Sequence, residues 1–178
     1  PGHGKSTAQV FLQEELGVQI LDDGRPLRLE GMRRFGLTWE QVSTQEGKLE
    51  ICHAYGRDME VREALGLIGK EWEAEHPLKV SNEALKLLRE EGTGEPVSFG
   101  SVRRSQGLSY IRAGGIVLEV YDPRKPLSKY DFDYVDPRYV TATIRNDGSL
   151  DDLKQRAVSL VRGLLENHNP KDHEWQTF

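Results

Sequence analysis

The chain has 178 residues, 30% of them charged, and a net charge of -5. That length suffices for one domain with its own core, and the charge sign argues against a general nucleic-acid binder, so no stable nucleic-acid partner is expected. There is no apolar run of membrane-spanning length, no signal-like N-terminus and a single cysteine, Cys52, which together predict a soluble cytoplasmic protein without a membrane partner, a disulfide or a cysteine-bound zinc.

The chain opens on Pro1-Gly2-His3-Gly4-Lys5-Ser6-Thr7. Gly4-Lys5-Ser6 fits the second half of the phosphate-binding pattern Gly, four free positions, Gly-Lys-Ser/Thr. The leading Gly is expected upstream of Pro1, after an apolar strand of about five residues. Such a loop turns backbone N–H groups toward an anion at a helix N-terminus. Gly2, His3, Gly4, Lys5, Ser6 and Thr7 are therefore candidate ATP-phosphate contacts. Lys5 would reach the β- and γ-phosphates, and the Ser6 hydroxyl would join a Mg²⁺ shell. The alternative is a Gly-rich tail that happens to precede a helix. With its first strand lying upstream, the chain is expected to show a gap or edge at the sheet centre, a mobile loop around His3 and poor ATP affinity.

Apolar spacing predicts a helix from Ser6 to Leu16, stopped by Gly17. Val18 to Leu21 reads as a strand and Asp22-Asp23-Gly24 as a turn. Pro26 opens a helix running to Phe35, with Gly36 as its stop. Thr38-Trp39-Glu40-Gln41 has the form of a capping box. Helices follow over Val61–Glu75, with Leu65, Ile68 and Trp72 on one face, and over Ser81–Glu91, with Ser81 as a cap. The pattern then becomes strand-like at Pro96–Gly100, helical at Gln106–Ala113, and strand-like again at Ile116–Tyr121 and Val140–Ile144. Asn146-Asp147-Gly148 is a turn, and Ser149 caps a last helix to about Glu166 that turns Leu153, Val158, Val161 and Leu164 inward. Apolar strands alternating with helices predict an α/β fold, a parallel sheet covered by helices. The whole chain, 1–178, reads as one such domain, with a helical insertion over about 26–91 and a polar tail over about 168–178.

The sequence resembles the deoxynucleoside monophosphate kinases of bacteriophages, a branch of the P-loop nucleoside monophosphate kinases. The segments that carry the likeness are Gly24-Arg25-Pro26-Leu27-Arg28 running into Phe35-Gly36-Leu37-Thr38, and Arg62-Glu63-Ala64-Leu65 with Gly69-Lys70-Glu71. The others are Ser101-Val102-Arg103 with Ile111–Gly115, and Ala142–Leu150. The resemblance implies a three-layer P-loop kinase-like fold and ATP-dependent phosphoryl transfer to a (deoxy)nucleoside monophosphate with Mg²⁺. It implies ATP phosphates on Lys5 and Ser6, an acceptor phosphate on Arg28 and Arg62, and Arg103 near the phosphoryl groups. Lys5, Arg62 and Arg103 would be the catalytic cations. Nucleotides are the expected partners; a homodimer is a further candidate partner, which the resemblance does not itself imply.

Several positions depart from the family pattern. Ser101 stands in place of an Asp expected near Mg²⁺, Arg25 in place of an Asp and Gly66 in place of a Gln. Glu73, Ala74 and Glu75 follow Glu71 where an Arg is expected, and the lid is short and poor in arginine. These departures leave open a nucleotide- or phosphate-binding module without turnover, or another P-loop NTPase. Asp22-Asp23 would approach Mg²⁺ or a ribose, or simply form a turn. Trp39, Trp72 and Tyr55 are candidates for base stacking or for plain packing. His3, His53, His76, His168 and His173 show no metal-ligand spacing. Asp172-His173-Glu174-Trp175 in the tail reads as disordered or as a contact with another chain.

Overall fold

The computed structural model describes residues 2–130 and 133–167; the polar tail over 168–178, with Asp172-His173-Glu174-Trp175, lies outside the described residues. The fold is mixed α/β, with helices and short parallel strands. Helix α1, Lys5–Leu16, ends at Gly17 in the left-handed conformation (φ 67°), which a residue with a Cβ adopts only under strain. Strand β1, Gln19–Leu21, leads into α2, Arg25–Phe35. The short α3, Trp39–Ser43, starts on a complete capping box. The Thr38 side chain accepts from the Gln41 N–H at 3.2 Å, and the Thr38 N–H donates to the Gln41 side chain at 2.9 Å.

The stretch over 26–91 is not purely helical. It contains an antiparallel hairpin of β2, Ile51–Ala54, and β3, Arg57–Glu60. Tyr55 and Gly56 make its turn with positive φ values of 53° and 74°, the backbone twist that suits a two-residue hairpin loop. The hairpin buries only Ala54 and Met59 and leaves Ile51 65% exposed. It therefore lacks the alternating apolar pattern that marks a strand. Helix α4, Val61–Glu75, follows directly and buries Val61, Ala64 and Ile68.

Helix α5 spans Lys79–Glu91, so Ser81 sits inside the first turn and is not its cap. The Ser81 hydroxyl instead donates to the Leu78 carbonyl and meets the Ser109 hydroxyl at 2.6 Å in the core. A buried partner on another helix outcompetes the local cap here. Strand β4, Val97–Phe99, helix α6, Gly107–Arg112, and strands β5, Leu118–Tyr121, and β6, Ala142–Arg145, come next. The last helix, α7, spans Leu150–Asn167. Ser149 Oγ accepts from the Asp152 N–H at 3.1 Å, and Asp152 accepts from the Ser149 N–H at 2.8 Å.

The parallel strands do not form one sheet. Strand β1 pairs with β4 and β5 pairs with β6, each as a separate two-stranded parallel unit. Between the two units lies an apolar cavity of about 1090 Å³, lined on one side by Val97 and Phe99 and on the other by Leu118 and Val120. The main core joins α1, α7 and β6 through Ala8, Leu12, Ile144, Leu153, Ala157 and Val161. A second core, around Val42 and Val61, stabilises the segment that carries the hairpin.

Leu153 is 1% exposed at the centre of the main core, whereas Leu165 on the same helix is 37% exposed. Leu153→Ala is expected to lower the unfolding free energy by about 2–5 kcal/mol. Leu165→Ala should change it by less than about 1 kcal/mol. Urea denaturation of both variants measures the contrast.

Candidate anion site at the strand ends

The first turn of α1 carries the opening motif. Gly4 precedes it with φ 96° and ψ 11°, and no side chain caps the first-turn amides. A Cβ on Gly4 would lie 2.6 Å from Asn146 Nδ2 and 3.3 Å from a Leu153 methyl. Both the backbone conformation and the close approach of Asn146 therefore require glycine here. His3 is tied at several points, contrary to the expected mobile loop. Its Nδ1 accepts from the Asp122 N–H at 3.0 Å, its carbonyl accepts from Asn146 Nδ2 at 3.0 Å, and its ring stacks on Tyr121. Asp122 follows β5 and Asn146 follows β6, so the loop rests on the C-terminal ends of these strands. Gly2 and Ser6 are exposed and Thr7 is half-buried.

Lys5 lies in the same cleft as Arg103, Arg62, Asp133 and Asp23. Burial pushes its pKa down, Arg103 and Arg62 add to this, and Asp133 and Asp23 oppose it. Asp133 is the hub. Its side chain is 3% exposed, with Arg62 Nε at 3.4 Å and Arg103 Nη1 at 3.6 Å. Arg103 also donates to the Asp133 carbonyl at 3.1 Å, and the Ser128 hydroxyl donates to the Asp133 carboxylate. Burial pushes the Asp133 pKa up, yet Ser128, Arg103 and Arg62 together hold it below the usual carboxylate range. Strand-like pairing of Arg104 with Val135 places Asp133: the Asp136 N–H donates to the Arg104 carbonyl at 2.8 Å. Three segments far apart in sequence thus deliver their cations to one cleft. They are the start of α1, the start of α4 and the loop after β4.

The Arg28 guanidinium is paired with Asp22 rather than turned to open solvent. Lys48, in a tight turn over Gly47–Leu49, is a member of the cluster that sequence reasoning missed. Its Nζ donates to the Ser43 carbonyl at 3.3 Å. Burial lowers its pKa to about 8, and the charges of Arg28, Arg62 and Arg103 add to the shift. No spacing rule marks it, because the turn that aims it depends on the packing of Gly47 against Glu40 and Gln41.

Asp23 follows β1 and is buried, and both its oxygens accept from the Ser101 N–H, at 2.9 and 3.1 Å. Ser101 brings no carboxylate of its own, but the neighbouring strand end sets one against its backbone. Burial, reinforced by Asp22, raises the Asp23 pKa from 3.8 to about 6. Glu73 accepts from Arg104 Nε at 2.5 Å and from Gln106 Nε2 at 2.9 Å. It therefore holds the loop that carries Arg103. Beyond β5, Arg124 is bound to Asp122 and Arg138 to Asp136. Among the described residues this segment brings Asp133 to the cleft and no arginine.

Tyr55 packs on Phe35, Trp72 lies under the Lys79 ammonium and Trp39 is 48% exposed. None of them is among the partners of the cleft cations named above. Among the described residues no group of three or more His, Cys, Asp or Glu side chains has the arrangement of a metal site. The oxygen donors at the strand ends include the Ser6 hydroxyl, at the start of α1, and the Asp23 carboxylate. Such a set fits a hard ion that arrives already coordinated by phosphates and water, and does not fit a resident metal. Among the described residues no helix is long and apolar enough to cross a membrane. No protein-family model matches the chain, and no curated protein matches it.

Because folding raises the Asp23 pKa, its stabilising contribution is complete below pH 3.8 and is lost as pH rises through about 6. Asp23→Asn keeps an acceptor for the Ser101 N–H and removes that loss. The variant should match the parent near pH 4 and exceed its unfolding free energy by about 1–3 kcal/mol at pH 7.5. Denaturant titrations at the two pH values measure this.

Proposed function

We propose that the chain transfers the γ-phosphoryl group of ATP to a (deoxy)nucleoside monophosphate, in the manner of a P-loop nucleoside monophosphate kinase. The observation that carries this reading is the convergence of Lys5, Arg62 and Arg103 beside an uncapped helix start at the strand ends. Open α/β sheets gather their ligands at that edge. Phosphoryl transfer needs little covalent work from a protein; it needs positive charge and positioning around an in-line phosphoryl group.

The first-turn amides of α1 and Lys5 bind the β- and γ-phosphates of the donor. Arg62, assisted by Lys48 and by Arg28, binds the acceptor phosphate. Arg103 stands between the two and meets the charge spread over the transferring group. The ion pairs of Asp133 with Arg62 and Arg103, at 3.4 and 3.6 Å, are longer than tight charge-assisted hydrogen bonds of about 2.7–2.9 Å. A phosphate can therefore displace this carboxylate from the arginines without breaking a close contact. When Mg²⁺ is bound with the triphosphate, it supplies charge neutralisation on the phosphoryl oxygens. The Ser6 hydroxyl and Asp23 are the groups that would hold it.

A second reading, a nucleotide-binding module without turnover, is favoured by one specific feature. The segment after β5 gives the cleft an acid, Asp133, and no arginine among the described residues. An ADP-release assay across the common deoxynucleoside monophosphates, run beside calorimetric ATP titration, separates the two. Turnover supports the kinase. Binding without turnover supports the module, and absence of both overturns the phosphate site altogether. Lys5→Ala is expected to lower transfer by about 10²–10³-fold.

The same site predicts a pH response. Lys48 carries its charge below about 8 and loses it above, so affinity for inorganic pyrophosphate should fall as pH rises past that value. Lys48→Met should bind more weakly at pH 7 and lose that step. Titrations from pH 6.5 to pH 9.5 read it.

A further inference from the structure

The segment after β5 brings a hydroxyl to the cation cleft together with its acid. Ser128 is half-buried, and its Oγ–H donates to Oδ2 of the Asp133 carboxylate. The same oxygen lies 3.4 Å from Arg62 Nε, while Oδ1 lies 3.6 Å from Arg103 Nη1. Ser128, Asp133, Lys5 and Arg103 all line one cavity. Thr143 and Ser149 also donate to carboxylates, those of Glu119 and Asp152, but both of these pairs are exposed.

The Ser128 hydroxyl is held in place from several sides. The Tyr130 N–H donates to Ser128 Oγ at 3.2 Å, and the Tyr134 hydroxyl donates to the Ser128 carbonyl at 3.0 Å. Lys129 Nζ and the Tyr130 hydroxyl donate to the two oxygens of Glu60, at 2.7 and 2.9 Å. Glu60 directly precedes α4, and Arg62 stands in the first turn of that helix. The anchor of the Ser128 segment is therefore the start of the element that carries Arg62. A hydroxyl hydrogen-bonded to a carboxylate, with that carboxylate oriented by further groups, is the arrangement of an activated nucleophile. Fixed in this way, it acts at a high effective concentration once an electrophile arrives.

We propose that Ser128 is a phosphoryl acceptor within the chain, taking the γ-phosphoryl group of a nucleoside triphosphate bound at Lys5 and the start of α1. The proposal rests on the reading of that loop as the donor site. Ser128 Oγ forms its bond to the γ-phosphorus as the bond from that phosphorus to the bridging oxygen breaks. The electron pair of the broken bond leaves with the nucleoside diphosphate. The hydroxyl proton passes to Asp133 Oδ2, the role an aspartate takes toward a hydroxyl acceptor in protein kinases. Arg103 and Arg62 meet the charge on the transferring group and then pair with the phosphoserine. The modified side chain thus competes with free anions for the arginines of the cleft.

The test incubates the full chain with γ-labelled ATP and Mg²⁺ and no monophosphate. Acid-stable label should approach a single phosphate per chain, map to Ser128 by mass spectrometry, and appear at a rate that does not change with chain concentration. Ser128→Ala should lose the label. Ser128→Thr should regain it as phosphothreonine, which separates loss of the acceptor from loss of the fold. Asp133→Asn should slow labelling at saturating ATP by about 10²–10⁴-fold. The phosphorylated chain should bind inorganic pyrophosphate more weakly by about 10-fold or more. Calorimetry with a non-hydrolysable ATP analogue reads the donor site separately. Binding of the analogue without label at Ser128 overturns the acceptor role and leaves the nucleotide reading standing, whereas absence of binding overturns both. Acid-labile label on His3 or Asp133, or label on Ser128 that persists in Lys5→Ala, would also overturn the proposal.

Discussion

Like charges brought together in a half-buried cleft repel, and the arrangement at the strand ends depends on how that repulsion is met. Lys5, Arg62 and Arg103 come from three separate parts of the chain, and the two arginines lower the tendency of both Lys5 and Lys48 to stay protonated. Asp133 makes the assembly tolerable. Its carboxylate is almost fully buried between the two arginines and is kept ionised by them and by Ser128. A protein has little reason to gather cations this closely for stability alone, since exposed positions would cost less. The cleft has the properties of a site for an anion, in which a side-chain carboxylate balances the charge.

That balance rests on the scaffold beneath it. The start of α1 is held by a backbone conformation open to Gly4 and by the amide of Asn146 against it. Asn146 and Asp122 follow β6 and β5, so the loop is registered on one parallel unit, while Arg103 and Asp23 follow the strands of the other. Lys5 therefore stands where the two units meet. Any change in the spacing of the units across the apolar cavity moves Lys5 relative to Arg103, which couples packing between the two units to the electrostatics of the cleft.

Features set by neighbours in sequence were legible from the residues alone. The Thr38–Gln41 box, the Ser149 cap and the helix stops at Gly17 and Gly36 need only a few adjacent side chains, and each forms as the local pattern requires. Lys5 was legible because its motif is local. Features set across the chain were not. Ser81 has the residue type of a cap but finds a buried partner on another helix. The Ile51–Glu60 hairpin carries too few inward apolar side chains to show a two-residue period. Lys48 and Asp133 are ordinary surface residue types in sequence, and only long-range packing turns them into the cleft. The separation of the parallel strands into two units is likewise a matter of pairing, which strand composition does not encode.

The departures at Ser101 and Glu73 take on physical meaning in this light. Seen in sequence, Ser101 removes a carboxylate from the end of β4 and Glu73 puts an acid where a cation is expected. In the fold, the Ser101 N–H donates to both oxygens of Asp23, so the strand ends keep a carboxylate that comes from the adjacent strand. Glu73 binds Arg104 and Gln106 and so fixes the turn from which Arg103 projects. Both residues are thus tied to charged groups on neighbouring elements, and the cleft holds both signs. What differs is protonation. A carboxylate buried at Asp23 and pushed to about 6 is partly neutral just below pH 7, and an incoming cation must favour its charged form. Under the proposed reading, a cation bound at these strand ends would therefore displace a proton, a coupling that an exposed carboxylate would lack.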